Sequence, residues 1–274
     1  MKTKHRPILT QEQQDLLNGV ELRLLNTEER QAFDQILIND HYLHSAGFVG
    51  QQLRYVACYN GRWVALVVWS AGAFKLKARE EWIGWSERQK RRRLPLIVNN
   101  SRFFIPKAFH IPNLATRVMK LNLERLSADW QQTYGHAVLV AETFVDPEIF
   151  RGTTYKAGGW TLLGQTQGFQ RSRQDFYEAH HKPKQLWARE LQPGARTILR
   201  GRNLPAACAA CEKDRPPECP QSPQQLQQMK SFFDDLPEWR RRKVDFPLRG
   251  LVALSVCAMM CKVSLGQRDL AAFA

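Results

Sequence analysis

No stretch of this 274-residue chain is apolar for long enough to cross a membrane: the longest such run, Leu251 to Cys261, falls short of the roughly 20 residues a bilayer-spanning helix needs. The N-terminus, MKTKHRPILT, is polar and charged rather than signal-peptide-like. A cytoplasmic protein with no membrane partner is expected. Cysteine is scarce, with six in the chain, too few for a disulfide scaffold at this length, and thiols are expected in a reducing compartment. Clustered metal ligands are missing as well. His41 and His44 are three apart and could meet on a helix surface, but no further ligand stands near them, and a helix-end turn is the plainer reading. Cys208 and Cys211 have the spacing of a zinc half-site; Cys219 follows, but a fourth ligand is absent, so no metal site is expected. Acid is in deficit: 26 Asp and Glu stand against 40 Lys and Arg, a net charge of +14. That excess suits a polyanion, nucleic acid first among them.

The chain is organised around Leu96 to Gly168. Ile97 to Ile105 reads as a strand. Pro112-Asn113 can start a helix in which Leu114, Val118, Leu121 and Leu126 keep helical spacing, and Gly135 closes it. Ala137 to Val145 is a second strand, rich in β-branched and aliphatic residues. Asp146-Pro147 is a helix-start signal. The short helix it opens carries Tyr155 and stops at Gly158-Gly159, before a third strand, Trp160 to Gln165. Strand, long helix, strand, short helix, strand favours an α/β core. Upstream, Thr10 to Gln13 is a capping box. Leu53 to Tyr59 and Trp63 to Ser70 form a hairpin about Asn60-Gly61, since both turn residues tolerate positive φ; it is expected antiparallel beside the central strands.

Three groups of residues carry candidate chemistry. Asn99, Asn100, Ser101 and Arg102 sit on the strand before the long helix, with Asn113 at its start, where open α/β sheets hold ligands. Glu142 and Asp146 share a strand face, and with Tyr155 they could perform acid–base work. The alternative is structural: Asp146 caps a helix, Glu142 pairs with an arginine and Tyr155 packs. Finally, Lys75 to Arg93 interleaves cations with aromatics. Lys75, Lys77, Arg79, Arg91, Arg92 and Arg93 could clamp phosphates while Trp82 and Trp85 stack on bases; alternatively, the tryptophans are core and the arginines a solvated face. Arg240, Arg241 and Arg242 add a second basic run, and Arg196 to Arg202 is basic again.

The run Tyr155-Lys156-Ala157-Gly158-Gly159-Trp160 resembles the tyrosine–glycine–aromatic segment near the end of GNAT-type acyltransferase domains, and the order of elements before it fits that fold. The resemblance implies a mixed sheet with flanking helices, and a role for Tyr155 as the acid that protonates a leaving thiolate. In such domains a Gly-rich loop holds the cofactor pyrophosphate at the start of the long helix. Here Lys107 to Asn113 has no glycine and contains a proline, which removes a donor. No cofactor is therefore expected, acetyl-CoA or another acyl donor being the alternative that the fold would allow.

A broader resemblance rests on Asn39-Asp40-His41-Tyr42-Leu43, Val49 to Tyr55, Arg79 to Trp85, Asn99 to Phe103 and Glu142 to Asp146. These segments, in order, are similar to the DruA family of Druantia anti-phage systems, which implies prokaryotic defence or mobile-element biology and no stated reaction. Further on, Phe232 to Pro237, Arg240 to Lys243, Phe246 to Leu254 and Gln267 to Leu270 resemble the N-terminal associated segment of DDE-type insertion-sequence transposases, without the acidic triad that cuts DNA.

The expectation is thus an α/β (α+β), GNAT-like, DruA-like domain over 1–202. A Pro- and Cys-containing linker follows over 203–228, and a truncated transposase-associated helical segment over 229–274. The expected function is a defence- or mobile-element-associated protein that binds nucleic acid and is not a competent transposase. Defence-system or transposase proteins are further candidate partners. The alternative is an acyl- or aminoacyl-transferase working in a GNAT-like cleft.

Overall fold

A computed structural model describes residues 8–48, 50–173, 176–179, 182–210, 212, 233, 235–239 and 247–260. The chain divides into two compact units, 1–211 and 212–274. Of the second unit, the described part is chiefly one helix, Leu248–Met260, whose Leu251 and Met259 are exposed. Arg240 to Arg242 and Gln267 to Leu270 lie outside the described residues.

The first unit is built on a seven-stranded mixed sheet in the order β1-β2-β3-β4-β5-β9-β6. Its strands are β1 Glu21–Leu24, β2 Gln52–Tyr59, β3 Arg62–Ala71, β4 Ile97–Phe104, β5 Val140–Val145, β6 Thr161–Gln165 and β9 Gln185–Glu190. A separate hairpin, β7 Phe169–Arg173 with β8 Phe176–Ala179, lies between β6 and β9 in the chain. The β4–β5 pair is parallel and every other pair in the sheet is antiparallel. This is the mixed sheet with flanking helices, an α/β fold, that the sequence implies.

Local chemistry explains most of the elements. Thr10 and Gln13 form the expected reciprocal capping box on α1, Gln11–Gly19. The β2–β3 turn places Asn60 at φ 48° and Gly61 at φ 71°, the two positive values that a two-residue hairpin requires. The long helix α5, Leu114–Tyr134, ends where Gly135 adopts φ 79°. Leu114, Val118, Asn122, Leu126 and Asp129 form its buried stripe. Two of these are polar, and both are satisfied: Asn122 accepts from Trp69 Nε1 at 3.0 Å, and Asp129 accepts from the Tyr55 hydroxyl at 2.8 Å. Those bonds fix the rotation of α5 against the sheet.

The opposite face is covered by α2 Arg30–Asp40, α3 Lys77–Ile83, α4 Glu87–Arg93, α7 Ala195–Arg200 and the short α8 Ala206–Ala209. His41, just past α2, is 3 % exposed and accepts at Nδ1 from the Leu43 N–H. Burial first, then the charges of Arg102 and His44, pull its pKa down to about 4. In the unfolded chain His41 takes a proton near its ordinary value of 6.5, so stability is full above that pH and is lost as pH falls toward 4. The loss is expected to be on the order of 3 kcal/mol. Urea midpoints measured from pH 7 to pH 4 on the wild type and on His41→Gln should show a much flatter profile for the variant.

Candidate functional site

The two parallel strands at the centre of the sheet pair only over Ile97–Val140, Val98–Ala141 and Asn99–Glu142. Beyond these residues they diverge. A bulge contributes on the other edge of β4: Val68 of β3 opposes Arg102 but Trp69 opposes Asn100, so Ser101 is an extra residue that bends the strand.

On the α5 side of the sheet the gap is bridged by the chain's own side chains. Thr143 Oγ1 donates to the Asn100 carbonyl at 3.1 Å. Asn100 Nδ2 donates to the carbonyls of Arg102 and Val68, each at 3.2 Å. The Tyr155 hydroxyl, from the short helix α6 Thr153–Ala157, donates to Asn100 Oδ1 at 2.9 Å. Tyr155 meets Trp160 edge-on, and Trp160 stacks over Trp69. Burial pushes the Tyr155 phenol up to about 12, so it stays protonated and donating at neutral pH. Replacing Tyr155 by Phe would leave the oxygen of Asn100, a residue 5 % exposed, without its donor. The expected cost is about 1–3 kcal/mol by denaturant unfolding; an unchanged midpoint would show that this bridge does not form.

The edge of β4 that the divergence exposes is taken up by the chain itself. Here that edge's carbonyls at Asn100 and Arg102 already accept from Thr143 and Asn100. The loop before α5 offers no glycine cradle, only a short turn at Lys107–Phe109 and Asn113 at φ 68° with no side-chain cap. In this arrangement these residues do not fit a cofactor arm.

The opposite face of the same strands carries a polar row: Ser70 opposes Asn99, and Asn99 opposes Glu142. The hydroxyls of Ser70 and Ser101 are hydrogen-bonded, and Asn99 Nδ2 donates to Ser101 Oγ at 3.3 Å. Glu142 is fully buried and committed. It is ion-paired with the buried Arg79 at 2.9 Å and accepts the Ala73 N–H at 2.7 Å. Arg79 also donates to Glu80 and to the Ala73 carbonyl. Burial opposes the Arg79 charge, but Glu142 and Glu80 outweigh it and hold the guanidinium above its usual pKa. Burial pushes the Glu142 carboxyl up, and Arg79 and the Ala73 N–H bring it only part of the way back. Asp146 closes the strand's exit turn: its side chain accepts from the Glu148 N–H at 3.0 Å and its carbonyl from the Phe150 N–H at 2.8 Å. Arg102 donates to the carbonyls of Ser45 and Ser101 and lies over the Phe48 ring.

The expected catalytic set is therefore divided. Glu142 faces α3, whereas its neighbour Thr143 points to the α5 face, because alternate residues of a strand point to opposite faces, and it is on that α5 face that Tyr155 reaches in from α6. Thr143 and Trp160, the partners that organise the gap, lie inside the two segments that carry the resemblances, but only their placement shows that they meet Asn100 and Tyr155.

The basic segment is also divided by burial. Arg79 and Arg93 are interior and cannot meet a phosphate, because each is held by groups inside the fold. Trp85 is buried with Nε1 on Glu80, and Trp82 lies under the Arg196 guanidinium, so packing takes the place of a stacking platform. Lys75, Lys77 and Arg91 are exposed, and Arg92 is half-exposed. Arg93 donates to the carbonyls of Ile198, Leu199, Gly201 and Arg202. Gln89 adds bonds to the carbonyls of Arg200 and Gly201. This clamp seats α4, which carries Arg88, Arg91 and Arg92, on the C-terminal end of α7 and the residues that follow it, which carry Arg200 and Arg202. Of these, Arg88, Arg91, Arg200 and Arg202 are exposed and Arg92 is half-exposed. Arg88 belongs to the basic segment 75–93 and Arg200 and Arg202 to the basic run 196–202; what the sequence does not show is that the two runs meet.

Among the described residues no group of three or more His, Cys, Asp or Glu side chains could hold a metal, and no helix is long and apolar enough to cross a membrane. Cys208 is a buried free thiol, whereas Cys211 and Cys219 lie outside the described residues.

Comparison with solved structures returns acetyltransferases. The aminoglycoside acetyltransferase AAC(6')-Ib in complex with ribostamycin and coenzyme A is 14 % identical, with a TM-score of 0.43 over 68 % of this chain and 99 % of that one. A GNAT-family acetyltransferase from Streptococcus pneumoniae is 13 % identical, with a TM-score of 0.41 over 63 % and 99 %. Spermidine N-acetyltransferase from Vibrio cholerae, in complex with CoA and spermine, is 11 % identical, with a TM-score of 0.39 over 64 % and 96 %. Likeness at this level carries no residue, donor or substrate from those enzymes to this chain. No curated protein sequence matches. The sequence model described as "DruA: Druantia protein DruA" matches residues 9–206, well over half of the chain. The chain belongs to the DruA family.

Proposed function

We propose that this DruA-family chain is a defence-associated protein that holds nucleic acid on the arginine surface where α4 meets the end of α7. The observation that carries the reading is that Gln89 and the buried Arg93 seat α4, which carries Arg88, Arg91 and Arg92, on the segment that carries Arg200 and Arg202, more than 100 residues away in the chain. The net charge of +14 supports it. Guanidinium groups on a rigid helix bind phosphate with preorganised forks, and such contacts give affinity without choosing sequence. The test is titration of labelled duplex DNA, single-stranded DNA and RNA across a salt series, with the wild type and an Arg88→Gln, Arg91→Gln, Arg202→Gln variant. Binding that weakens with salt in the wild type and is reduced in the variant is expected. Absent or salt-indifferent binding overturns the reading.

A second reading, acyl transfer, is favoured by the divergence of β4 and β5 and by Tyr155 on a short helix aimed into it. It requires the bridge of Thr143, Asn100 and Tyr155 to open. Calorimetric titration of coenzyme A into the wild type and Tyr155→Phe decides it: no heat of binding in either protein removes this reading.

A further inference from the structure

A cavity of about 480 Å³ lies along the flank of α5 that faces α6 and β9. It is distinct from the bridged gap. Arg189 is in register with Ala141, and the Leu191 N–H bonds to the Leu139 carbonyl, so the cavity sits beside the first residues of β5. The strands diverge at the other end of β5. The size is that of a small-ligand site.

The lining is two-sided in character. Met119, Leu123 and Leu191 give it an apolar wall, and Lys120 and Arg189 bring two cations to it. Arg189 is half-buried, and among the described residues its guanidinium makes no hydrogen bond and no ion pair. It runs beside the turn at Gly159, where an added Cβ would lie 3.6 Å from its Nη1. A guanidinium without a protein acceptor can take one from an anion, as a charge-assisted and, in the right geometry, forked hydrogen bond. Lys120 is exposed, and among the described residues its one ion pair is with Glu124, also in the lining, at 3.9 Å. A surface pair of that kind is worth about 0–1 kcal/mol, so the amine can turn to a ligand at little cost.

We propose that this cavity binds a small amphipathic anion, its charged head on Arg189 and Lys120 and its apolar part against Met119, Leu123 and Leu191. The reading stands apart from nucleic-acid binding, which uses the other face of the sheet. The test is calorimetric and thermal-shift titration of the full chain with octanoate, octylamine and inorganic phosphate. Octanoate is expected to bind and to raise the melting temperature, and phosphate to bind more weakly for want of an apolar part. Octylamine, with the wrong charge, should not bind. Arg189→Gln should weaken octanoate about tenfold, the loss of one charge-assisted contact. Leu123→Glu, on the helix flank, should abolish binding by placing a carboxylate in the cavity, and it serves if Arg189→Gln does not fold. Octanoate that fails to bind at millimolar concentration, octylamine that binds as well, or a folded Arg189→Gln with unchanged affinity overturns the proposal.

Discussion

Arg79→Met is expected to destabilise the first unit by about 3–5 kcal/mol, because it breaks a buried pair from one side only. Arg79 and Glu142 are both fully buried, 2.9 Å apart. Removing the cation leaves Glu142 in the interior with the Ala73 N–H as its remaining donor. It must then take up a proton or remain as an uncompensated charge. Burial already drives its carboxyl above the usual range, and without Arg79 the drive is stronger. A carboxyl whose folded pKa lies above its unfolded one binds more protons when folded. The variant should therefore lose stability as pH rises from the acid range through that folded pKa. Arg79→Met with Glu142→Leu should recover part of the loss. Ala73 would still lack its acceptor, which leaves about 1–3 kcal/mol unrecovered. Urea unfolding at several pH values measures all three proteins, and a single variant within about 1 kcal/mol of the wild type would refute the structural role.

The second large effect is on binding. Replacing Arg88, Arg91 and Arg202 by Gln should lower affinity for duplex DNA on the order of tenfold to a hundredfold at low salt. Each phosphate contact contributes about 0.9 to the slope of log K against log salt, so the slope should shrink by about 2 to 3. The loss should be similar on duplexes of different sequence, since phosphates carry no base information. Arg93 is kept in this variant because its guanidinium anchors α4 to four carbonyls, so its removal would confound binding with unfolding. The three chosen arginines are exposed, and their replacement should leave the melting temperature nearly unchanged. A variant that melts like the wild type and keeps both its affinity and its salt slope places the nucleic-acid surface elsewhere or nowhere on this unit.

Arg79 and Arg93 also show where reading the residues ran out. Both stand in a run of charges that reads as surface, yet both are interior. Arg79 meets Glu142 at a separation of 63 residues, and Arg93 meets the carbonyls of Leu199 and Gly201 at separations of 106 and 108. Tyr155 was visible as a candidate because its surroundings resemble a known segment. Its acceptor is Asn100, 55 residues earlier, and that could not be read from spacing.

By itself the sequence determined what near neighbours decide. The capping box at Thr10, the Asn60-Gly61 turn, the long helix stopped by Gly135 and the order of strands and helices follow from backbone preference and periodicity over a few residues. Family membership followed from the order of its segments. The tertiary structure alone decided that β9 inserts between β5 and β6, that Glu142 and Tyr155 point to opposite faces, and which arginines are anchors and which are surface. The reason is physical: an arginine has the same local propensity in either place. Its burial depends on whether a carboxylate or a set of carbonyls from a distant part of the chain is there to receive it.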